Sequence, residues 1–419
     1  MAQTFSRCTP GSCIFSRMSD SFPPIPKPTP HRRRPRYRGR NPRRFEEKYK
    51  EHDPQRYAET VAKVLASGKT PAGTHRPIMV AEILEVLAPR PGQIAVDCTL
   101  GYGGHAQALL ERLQPGGKLL GLDADPIELP KTEARLRALG FGPEIFSAYR
   151  SNFAGLPQVL ATFFSSLASA IGGEGRGAIP GSAGVSPASS GFLLPTGRRD
   201  AGASRSLMEM EKDSQSAAAG ADVILADLGV SSMQIDDPAR GFSVKLAGPL
   251  DMRMNPQRGQ PASAFLEKIS SDKLAALLEG NADEPHAATL APALAGKVFT
   301  TTTALAAAIR AALPRLNRED GDLAIRRVFQ ALRIAVNDEF SALDTFLRHL
   351  PACLNPGGRV AILMFHSGED RRVKKAFAAG LREGLYAEIA HEVIRPTAEE
   401  CNANPRSAPA KLRWARRAA

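Results

Sequence analysis

The 419-residue sequence has few cysteines and no long apolar run, and these absences exclude several classes of protein. Its five cysteines are scattered, so the sequence indicates neither a disulfide framework nor a zinc site with cysteine and histidine ligands at the usual spacing. No apolar stretch approaches the roughly 20 residues that a membrane-spanning helix needs. We therefore expect a protein of a reducing compartment, with no structural metal and no membrane association.

Outside its first 50 residues, the chain has almost no excess charge. The formal net charge is +12, but residues 1–50 hold 13 Lys and Arg against 3 Asp and Glu, whereas the remainder holds 42 against 40. Residues 1–70 are therefore predicted to be a disordered basic arm, which either holds RNA phosphates or is a solvated tail. The arm lacks the apolar core of a secretory signal, but its composition is like that of a transit peptide. We expect a cytoplasmic protein, with an organellar one as the alternative.

A glycine-rich turn follows the first predicted strand of the folded part. Residues 94–96 are apolar, Gly101, Gly103 and Gly104 come next, and helix-forming residues begin at Ala106. A strand–turn–helix of this kind lets a ligand approach the backbone and offers an anion the positive end of a helix. Alone, the pattern is also compatible with an ordinary tight turn.

A carboxylate ends the second predicted strand. Residues 118–122 are mostly apolar and lead into Asp123, about 20 residues after the glycines. In a doubly wound sheet, an acid at this place reaches the ribose hydroxyls of a nucleotide bound at the first turn. Together the two features favour a ligand that contains a nucleoside.

The rest of the sequence predicts an α/β fold in which the alternation of strands and helices is interrupted at two places. Residues 165–220 are rich in Gly, Ala, Ser and Pro and are predicted to be a disordered insertion. Residues 222–226 form a fourth strand ending at Asp227, residues 262–313 and 324–350 are helical, and residues 359–365 are a central strand. This order predicts a doubly wound sheet with a helical domain inserted after the fourth strand.

Segments between residues 72 and 416 together resemble one family. It comprises the bacterial methyltransferases of the RsmH/MraW type, which modify N4 of a cytidine in 16S ribosomal RNA. The matching segments are His75 with Glu82, 97–105, 123–126, 227–232 with Gln234, 240–243, 248–254, 329–334 with Val336 and Asn337, 365–367 with 369–371, and 404–407. Asp-Leu-Gly-Val-Ser-Ser (227–232) and Gly-Pro-Leu-Asp-Met-Arg-Met (248–254) are far more specific than a glycine turn.

The resemblance implies a class I S-adenosylmethionine-dependent methyltransferase fold acting near the ribosomal decoding site. It implies a methyltransferase domain over residues 71–234 and 327–419 and a helical substrate-recognition domain over residues 235–326. The implied partner is 16S rRNA or the small ribosomal subunit, and the oligomeric state stays open, with a dimer as one option. The implied cofactor contacts are Gly103, Gly104, His105, Asp123, Phe153, Asp227 and Gln234. The sequence departs from the family pattern at residues 281–284, at Gly368 in place of leucine and at Ala247 in place of an acid.

Methylation of a base amine needs alignment and a hydrogen-bond acceptor for the amine, because its lone pair is delocalised into the ring. Asp227 or the carbonyl oxygens of the loop that follows it are the candidate acceptors, and Asp227 is alternatively a cofactor contact. The base must be unstacked, and Phe242, Phe365 and Tyr102 are candidate stacking surfaces as well as candidate core residues. His366 is either a base or a structural histidine. Four basic residues are either phosphate contacts or part of a solvated basic loop: Arg240, Lys245, Arg253 and Arg258.

Two other functions remain open at this point. A nicotinamide-dependent oxidoreductase fits the glycine turn and Asp123 but none of the residues from 227 to 254. A catalytically inactive RNA-binding protein fits the basic arm but not the set of candidate cofactor residues. Binding of S-adenosylmethionine against NAD, and transfer of a labelled methyl group, separate these functions.

Overall fold

The structure is a computed structural model that describes residues 77–172, 220–244 and 247–419. The predicted arm at residues 1–70, His75, Lys245 and most of the predicted insertion lie outside these residues. Within the described ranges, no helix combines the length and the apolar character needed to cross a membrane.

One seven-stranded sheet organises the described part of the chain, in the order β3-β2-β1-β4-β5-β7-β6. The strands from β3 to β5 are parallel, and β7 runs antiparallel to both β5 and β6. The doubly wound α/β sheet expected from the sequence is confirmed. The strands are β1 (Ile94–Asp97), β2 (Lys118–Asp123), β3 (Phe146–Arg150), β4 (Ala221–Asp227), β5 (Leu354–Met364), β6 (Tyr386–Ile389) and β7 (Lys411–Arg417).

Helices cover both faces of the sheet, so its central strands are buried on each side. That burial explains why the strands were readable as nearly continuous apolar runs. The helices, in chain order, are α1 (Val80–Leu87), α2 (Gly104–Leu113), α3 (Glu128–Ala138), α4 (Leu156–Gly172), α5 (Ser232–Asp236), α6 (Ala262–Lys268), α7 (Ser271–Ala282), α8 (Ala287–Leu294), α9 (Thr302–Ala312), α10 (Arg318–Asn337), α11 (Glu339–Cys353), α12 (Ser367–Arg382) and α13 (Ala398–Ala403).

The two faces of the sheet have separate apolar cores. Leu109 of α2 and Leu136 of α3 lie in one core with the side chains of α1. Leu160 of α4, Phe346 of α11 and Phe377 of α12 lie in the other. Each core holds its helices against the sheet, and thereby fixes the loops that join strands to helices at the carboxyl ends of the strands.

A third apolar core belongs to the helices between β4 and β5. It extends from Leu250 to Leu332, and α10 contributes a row of buried side chains to it. The predicted domain boundary at residues 326 and 327 therefore falls inside α10. The single helical stretch expected over residues 324–350 is instead two helices, because Asp338 adopts a left-handed conformation (φ 51°) between them.

The predicted disordered insertion overlaps the end of α4. Helix α4 continues to Gly172, so residues 165–172 are helical and the expectation of disorder from residue 165 was wrong there. Leu160 anchors the first half of α4 in the core, and a long helix-compatible run continues it. Since α4 runs back across the sheet, its end and the start of β4 both lie at the amino ends of the parallel strands.

Candidate functional site

Three aspartates end three neighbouring strands at the same edge of the sheet. Asp97, Asp123 and Asp227 are the last residues of β1, β2 and β4. In the strand register Asp97 lies level with Gly121 and Leu225, two residues before the ends of its neighbours. The carboxyl ends of parallel strands are where ligands bind in open α/β sheets.

The predicted glycine turn lies at this edge and leads into α2. Gly103 is the residue before the helix and has a positive φ of 77°; a Cβ there would lie 2.8 Å from Cγ2 of Thr132. A Cβ on Gly104 would lie 2.9 Å from the ring of Pro77. Both glycines are therefore required by packing, whereas a Cβ on Gly101 (φ 48°) would have no neighbour closer than 3.7 Å. Gly101 leaves open space in front of the turn.

The Asp123 carboxylate is held by backbone donors. Its Oδ2 accepts from the N–H of Gly101 at 2.7 Å, and its Oδ1 accepts from the N–H of Asp125 at 2.8 Å. Burial raises the pKa of Asp123 to about 6, even though these two hydrogen bonds favour the ionised form. A carboxylate has about four acceptor positions, so two remain for a ligand such as a ribose diol.

Asp97 connects two of the strand ends and was given no role by the sequence. It is 1% exposed, and its Oδ1 accepts from the N–H of Thr99 at 3.1 Å. The hydroxyl of Thr99 in turn accepts from the N–H of Asp227 at 2.6 Å. Burial raises the pKa of Asp97, and the nearby His105 lowers it. Asp97 thus sets the backbone position of Asp227.

His105 and Asp227 lie beside each other at the carboxyl edge of the sheet. His105 Nε2 lies 2.9 Å from the carbonyl oxygen of Ile78, and because that oxygen can only accept, Nε2 carries a hydrogen. Nδ1 of His105 lies 3.5 Å from Oδ2 of Asp227. The two side chains are close enough for an electrostatic interaction, but the contact is longer than an ordinary hydrogen bond.

Burial favours the uncharged form of both side chains. Burial lowers the pKa of His105 below its usual value. Burial, followed by the charge of Glu369, raises the pKa of Asp227 to about 7. Near neutral pH, Asp227 therefore exchanges a proton in the range where a general base works well.

Aromatic side chains at the site are partly buried. Phe153 follows β3 and packs edge-on against Phe346, with ring centroids 5.6 Å apart. The guanidinium of Arg135 lies 4.3 Å from the centre of the Tyr102 ring. Among the candidate stacking residues, Phe242 packs on the helical core and Phe365 packs on a core of the sheet.

Gln234 and Arg240 meet at a carboxylate that the sequence did not single out. Asp125 is 1% exposed, and its Oδ2 accepts from Gln234 Nε2 and from Arg240 Nη1, both at 2.8 Å. The side-chain oxygen of Gln234 accepts from the N–H of Ser231 in a capping box at the start of α5. Arg240 is 8% exposed. Its guanidinium is therefore engaged inside the protein, and its prediction as a phosphate contact was wrong.

Of the other predicted basic residues, Arg253 and Arg258 lie on the loop that carries the 248–254 motif. Arg253 makes a two-pronged pair with Asp251, with Nε to Oδ1 at 2.8 Å and Nη2 to Oδ2 at 2.7 Å. Arg258 is exposed. Asn337 at the end of α10 fixes the loop, since its Oδ1 accepts from the N–H of Met254 at 2.7 Å. Gly248 allows a chain crossing, because a Cβ there would lie 1.9 Å from the carbonyl oxygen of Pro238.

His366 begins α12 at the same edge of the sheet. Its Nδ1 accepts from the N–H of Glu369, and the Glu369 side chain accepts from the N–H of His366, both at 3.4 Å, which forms a capping box. Of the two interpretations left open, this arrangement favours the structural histidine. The glycine at position 368 fits its neighbourhood, because a Cβ there would lie 2.6 Å from the Phe340 ring.

The departure at residues 281–284 lies at a contact between the helical segment and the sheet domain. Asp283 has a left-handed conformation after α7 and accepts from Arg371 at 3.0 and 3.1 Å and from the hydroxyl of Ser367 at 3.0 Å. Both partners belong to α12. The change of residue type thus retains a carboxylate that joins the two parts of the protein.

Comparison with known proteins agrees with this geometry. The model of the MraW methylase family matches residues 72–172 and 201–418. A "Ribosomal RNA small subunit methyltransferase H 2" of Alkaliphilus metalliredigens is 46% identical over 392 residues, which cover 91% of this chain and 97% of that protein. A "Ribosomal RNA small subunit methyltransferase H 1" of Lachnoclostridium phytofermentans is 43% identical over 394 residues, with 92% and 93% covered. The chain therefore belongs to the MraW methylase family.

Proposed function

We propose that this protein transfers a methyl group from S-adenosylmethionine to the N4 amino group of a cytidine in small-subunit 16S rRNA. The observation that carries the proposal is the position of Asp227, which lies beside His105 at the same sheet edge as Asp123 in a chain of the MraW methylase family. The nicotinamide alternative gains no support, because it gives no role to the residues from 227 to 254.

The donor set at the sheet edge fits S-adenosylmethionine. Asp123 retains acceptor positions for the ribose hydroxyls, and Gly101 leaves open space before the turn. The start of α2 offers a positive helix end to the carboxylate of the amino-acid part. Phe153 lies at the end of β3 and supplies an apolar wall for the nucleoside. The further predicted contacts are the backbone of Gly103, Gly104 and His105, and Gln234 through its place beside Asp125.

Asp227 acts as the proton acceptor in this proposal. The bound cofactor supplies a methyl group that the sulfonium already activates. As the N4–carbon bond forms and the carbon–sulfur bond breaks, the N4 nitrogen becomes positively charged and must lose one proton. Asp227 in its ionised form accepts that proton and later releases it to water. Thr99 and His105 hold Asp227 in position through its backbone and its carboxylate.

The helical segment and the motif loop bind the RNA. The exposed position of Arg258 supports its role as a phosphate contact, and Arg253, which pairs with Asp251, and Lys245 from the same stretch of sequence remain predicted contacts. The target base must leave its stack to reach Asp227. We expect the protein to work where small ribosomal subunits are assembled.

A transfer assay with two substrates tests the proposal. Free 16S rRNA and assembled small subunits are each incubated with the protein and S-adenosylmethionine, and the nucleosides are analysed by mass spectrometry. We expect N4-methylcytidine from one or both substrates. Methylation of another atom would refute the assignment of the base amine, and no transfer to either substrate would refute the proposed substrate.

A further inference from the structure

A buried ion pair joins the cofactor side of the site to the motif loop. Asp125 and Arg240 are 1% and 8% exposed, and Nη1 of Arg240 donates to Oδ2 of Asp125 at 2.8 Å. The other oxygen of Asp125 accepts from the N–H of Ile127 at 2.9 Å. The two charged residues are separated by 115 positions in the sequence, so the contact connects distant parts of the chain.

On one side, the pair is directly bonded to the candidate ribose-binding residue. The N–H of Asp125 donates to Oδ1 of Asp123, whose other oxygen accepts from the N–H of Gly101 in the glycine turn. Asp125 is therefore part of the same hydrogen-bonded loop as Asp123. A displacement of Asp125 would move the carboxylate expected to hold the cofactor.

On the other side, Arg240 holds the motif loop. Nη2 of Arg240 donates to the carbonyl oxygens of Arg253 at 3.1 Å and Met254 at 2.8 Å. The carbonyl oxygen of Arg240 accepts from the N–H of Met252 at 3.1 Å. Met252 has a positive φ of 64°, a conformation that bulky residues rarely adopt unless the surroundings impose it. Arg240 supplies part of that constraint, and Asn337 supplies another part.

Only a guanidinium can make this connection. Its planar fork directs one nitrogen at Asp125 and another at two carbonyl oxygens, whereas an ammonium is a single point of donation. A buried ion pair often adds little net stability compared with an apolar pair of similar volume. We therefore attribute the role of this ion pair to the geometry that it imposes on the two loops, and not to a contribution to stability.

We propose that Arg240 is a positioning residue that fixes the motif loop at a set distance from the cofactor-binding loop of Asp123. This inference rests on the proposed function, because it takes the two loops to be the cofactor and RNA sides of one site. A small misplacement between the reacting groups costs rate rather than binding. Arg240 thus acts on methyl transfer through the loops that it joins and touches neither substrate.

The test is Arg240→Lys, which keeps the charge beside Asp125 but loses the fork. We expect kcat to fall about 10-fold or more, while the Kd for S-adenosylmethionine changes less than about 3-fold. Hydrogen exchange of the amides at residues 252–258 should become faster, with the other protected amides unchanged. A wild-type kcat, or an equal loss of cofactor affinity and global protection, would overturn the proposal.

Two further variants serve as controls for this experiment. Arg416→Lys alters a partly exposed arginine of β7 that pairs with Glu388 at the amino-end edge of the sheet, outside the proposed RNA-binding segment, and should leave kcat and exchange unchanged. Should Arg240→Lys not fold, the double variant Asp125→Asn, Arg240→Met removes both buried charges. It should fold and show the same fall in kcat; a wild-type kcat would overturn the proposal. If the wild-type protein methylates neither RNA substrate, the proposed function fails, and the exchange at 252–258 still decides whether Arg240 holds the loop.

Discussion

Asp123 combines a structural and a binding task in one carboxylate. It accepts from two backbone N–H groups and is expected to accept from the ribose hydroxyls as well. Asp222 is a matched residue at the opposite end of β4, where its carboxylate accepts from the N–H of Ile94 and from Asn355, both at 2.8 Å. A comparison of alanine variants at the two positions therefore distinguishes the effect of losing structural hydrogen bonds from the effect of losing hydrogen bonds to the ligand.

We predict that Asp123→Ala weakens binding of S-adenosylmethionine roughly 10- to 150-fold, because charge-assisted hydrogen bonds contribute about 1.5–3 kcal/mol. Asp123→Ala and Asp222→Ala should lower the melting temperature to a similar extent, since each substitution leaves backbone or side-chain donors without an acceptor. Asp222→Ala should leave the Kd for the cofactor unchanged. Calorimetric titration and thermal unfolding of both variants check this. Equal cofactor affinity in folded Asp123→Ala and wild type would remove Asp123 from the cofactor site.

Asp227 is expected to control the pH dependence of the reaction. Burial and Glu369 raise its pKa to about 7, and only its ionised form can accept a proton. We predict that the rate, measured with saturating cofactor, rises with pH and levels off above about 7. Asp227→Asn should lose both this rise and most of the activity. A wild-type pH profile in the Asn variant would assign the acceptor role elsewhere.

The same shift has a consequence for stability, and its sign differs from that of an ordinary carboxylate. A pKa above the unfolded value means that the fold favours protonated Asp227. Its stabilising contribution is therefore complete below about pH 4 and is lost as the pH rises through about 7. Relative to Asp227→Asn, the free energy of unfolding of the wild type should decrease across this window. Asp97, Asp123, His105 and Glu369 face the same region, so the difference between the two proteins is the informative quantity.

At the scale of elements, the points where α4 ends and β4 begins lie away from the candidate site. The end of α4 at Gly172 and the start of β4 at Ala221 lie at the amino ends of the parallel strands, whereas the three aspartates lie at the carboxyl ends. The sequence between them is rich in Gly, Ala, Ser and Pro and has no periodic apolar face.

We predict that replacing residues 173–219 by a short Gly/Ser linker leaves methyl transfer and the melting temperature nearly unchanged. A deletion that starts at residue 165 is the comparison, because it also removes the last two turns of α4. Transfer activity and thermal unfolding of both proteins are the measurements. Loss of activity in the shorter deletion would show that the segment takes part in RNA binding or folding.

At the scale of the whole molecule, charge is concentrated at one end of the sequence. Residues 1–50 hold a net charge of +10 out of +12. We predict that removing residues 1–70 weakens RNA binding and flattens its dependence on salt, by about 0.7–0.9 in the log–log slope for each phosphate that the arm neutralises in the full-length protein. Cofactor affinity should not change. A salt titration of RNA affinity for both proteins checks this, and equal slopes would mean that the arm is a solvated tail.

The sequence predicted the strands and their acidic ends well, because an apolar run closed by a carboxylate is a local signal. Asp123 and Asp227 could both be placed at one edge on that basis, whereas Asp97 was recognised only from the structure. The partner of Arg240 could not be predicted, because Asp125 lies 115 residues away in the sequence. The sequence also does not distinguish a buried arginine from an exposed one. The break between α10 and α11 at Asp338 was equally impossible to predict, because it depends on the left-handed conformation of one residue between two segments with strong helical patterns.

The place of β7 in the sheet has a consequence for the nascent chain. Strand β7 (Lys411–Arg417) pairs along one side of the apolar strand β5, between β5 and β6. Until those residues leave the ribosome, β5 exposes an unpaired row of backbone donors and acceptors, which is a template for misassociation with other chains. A growing polypeptide of this protein should therefore depend on chaperones until β7 is synthesised.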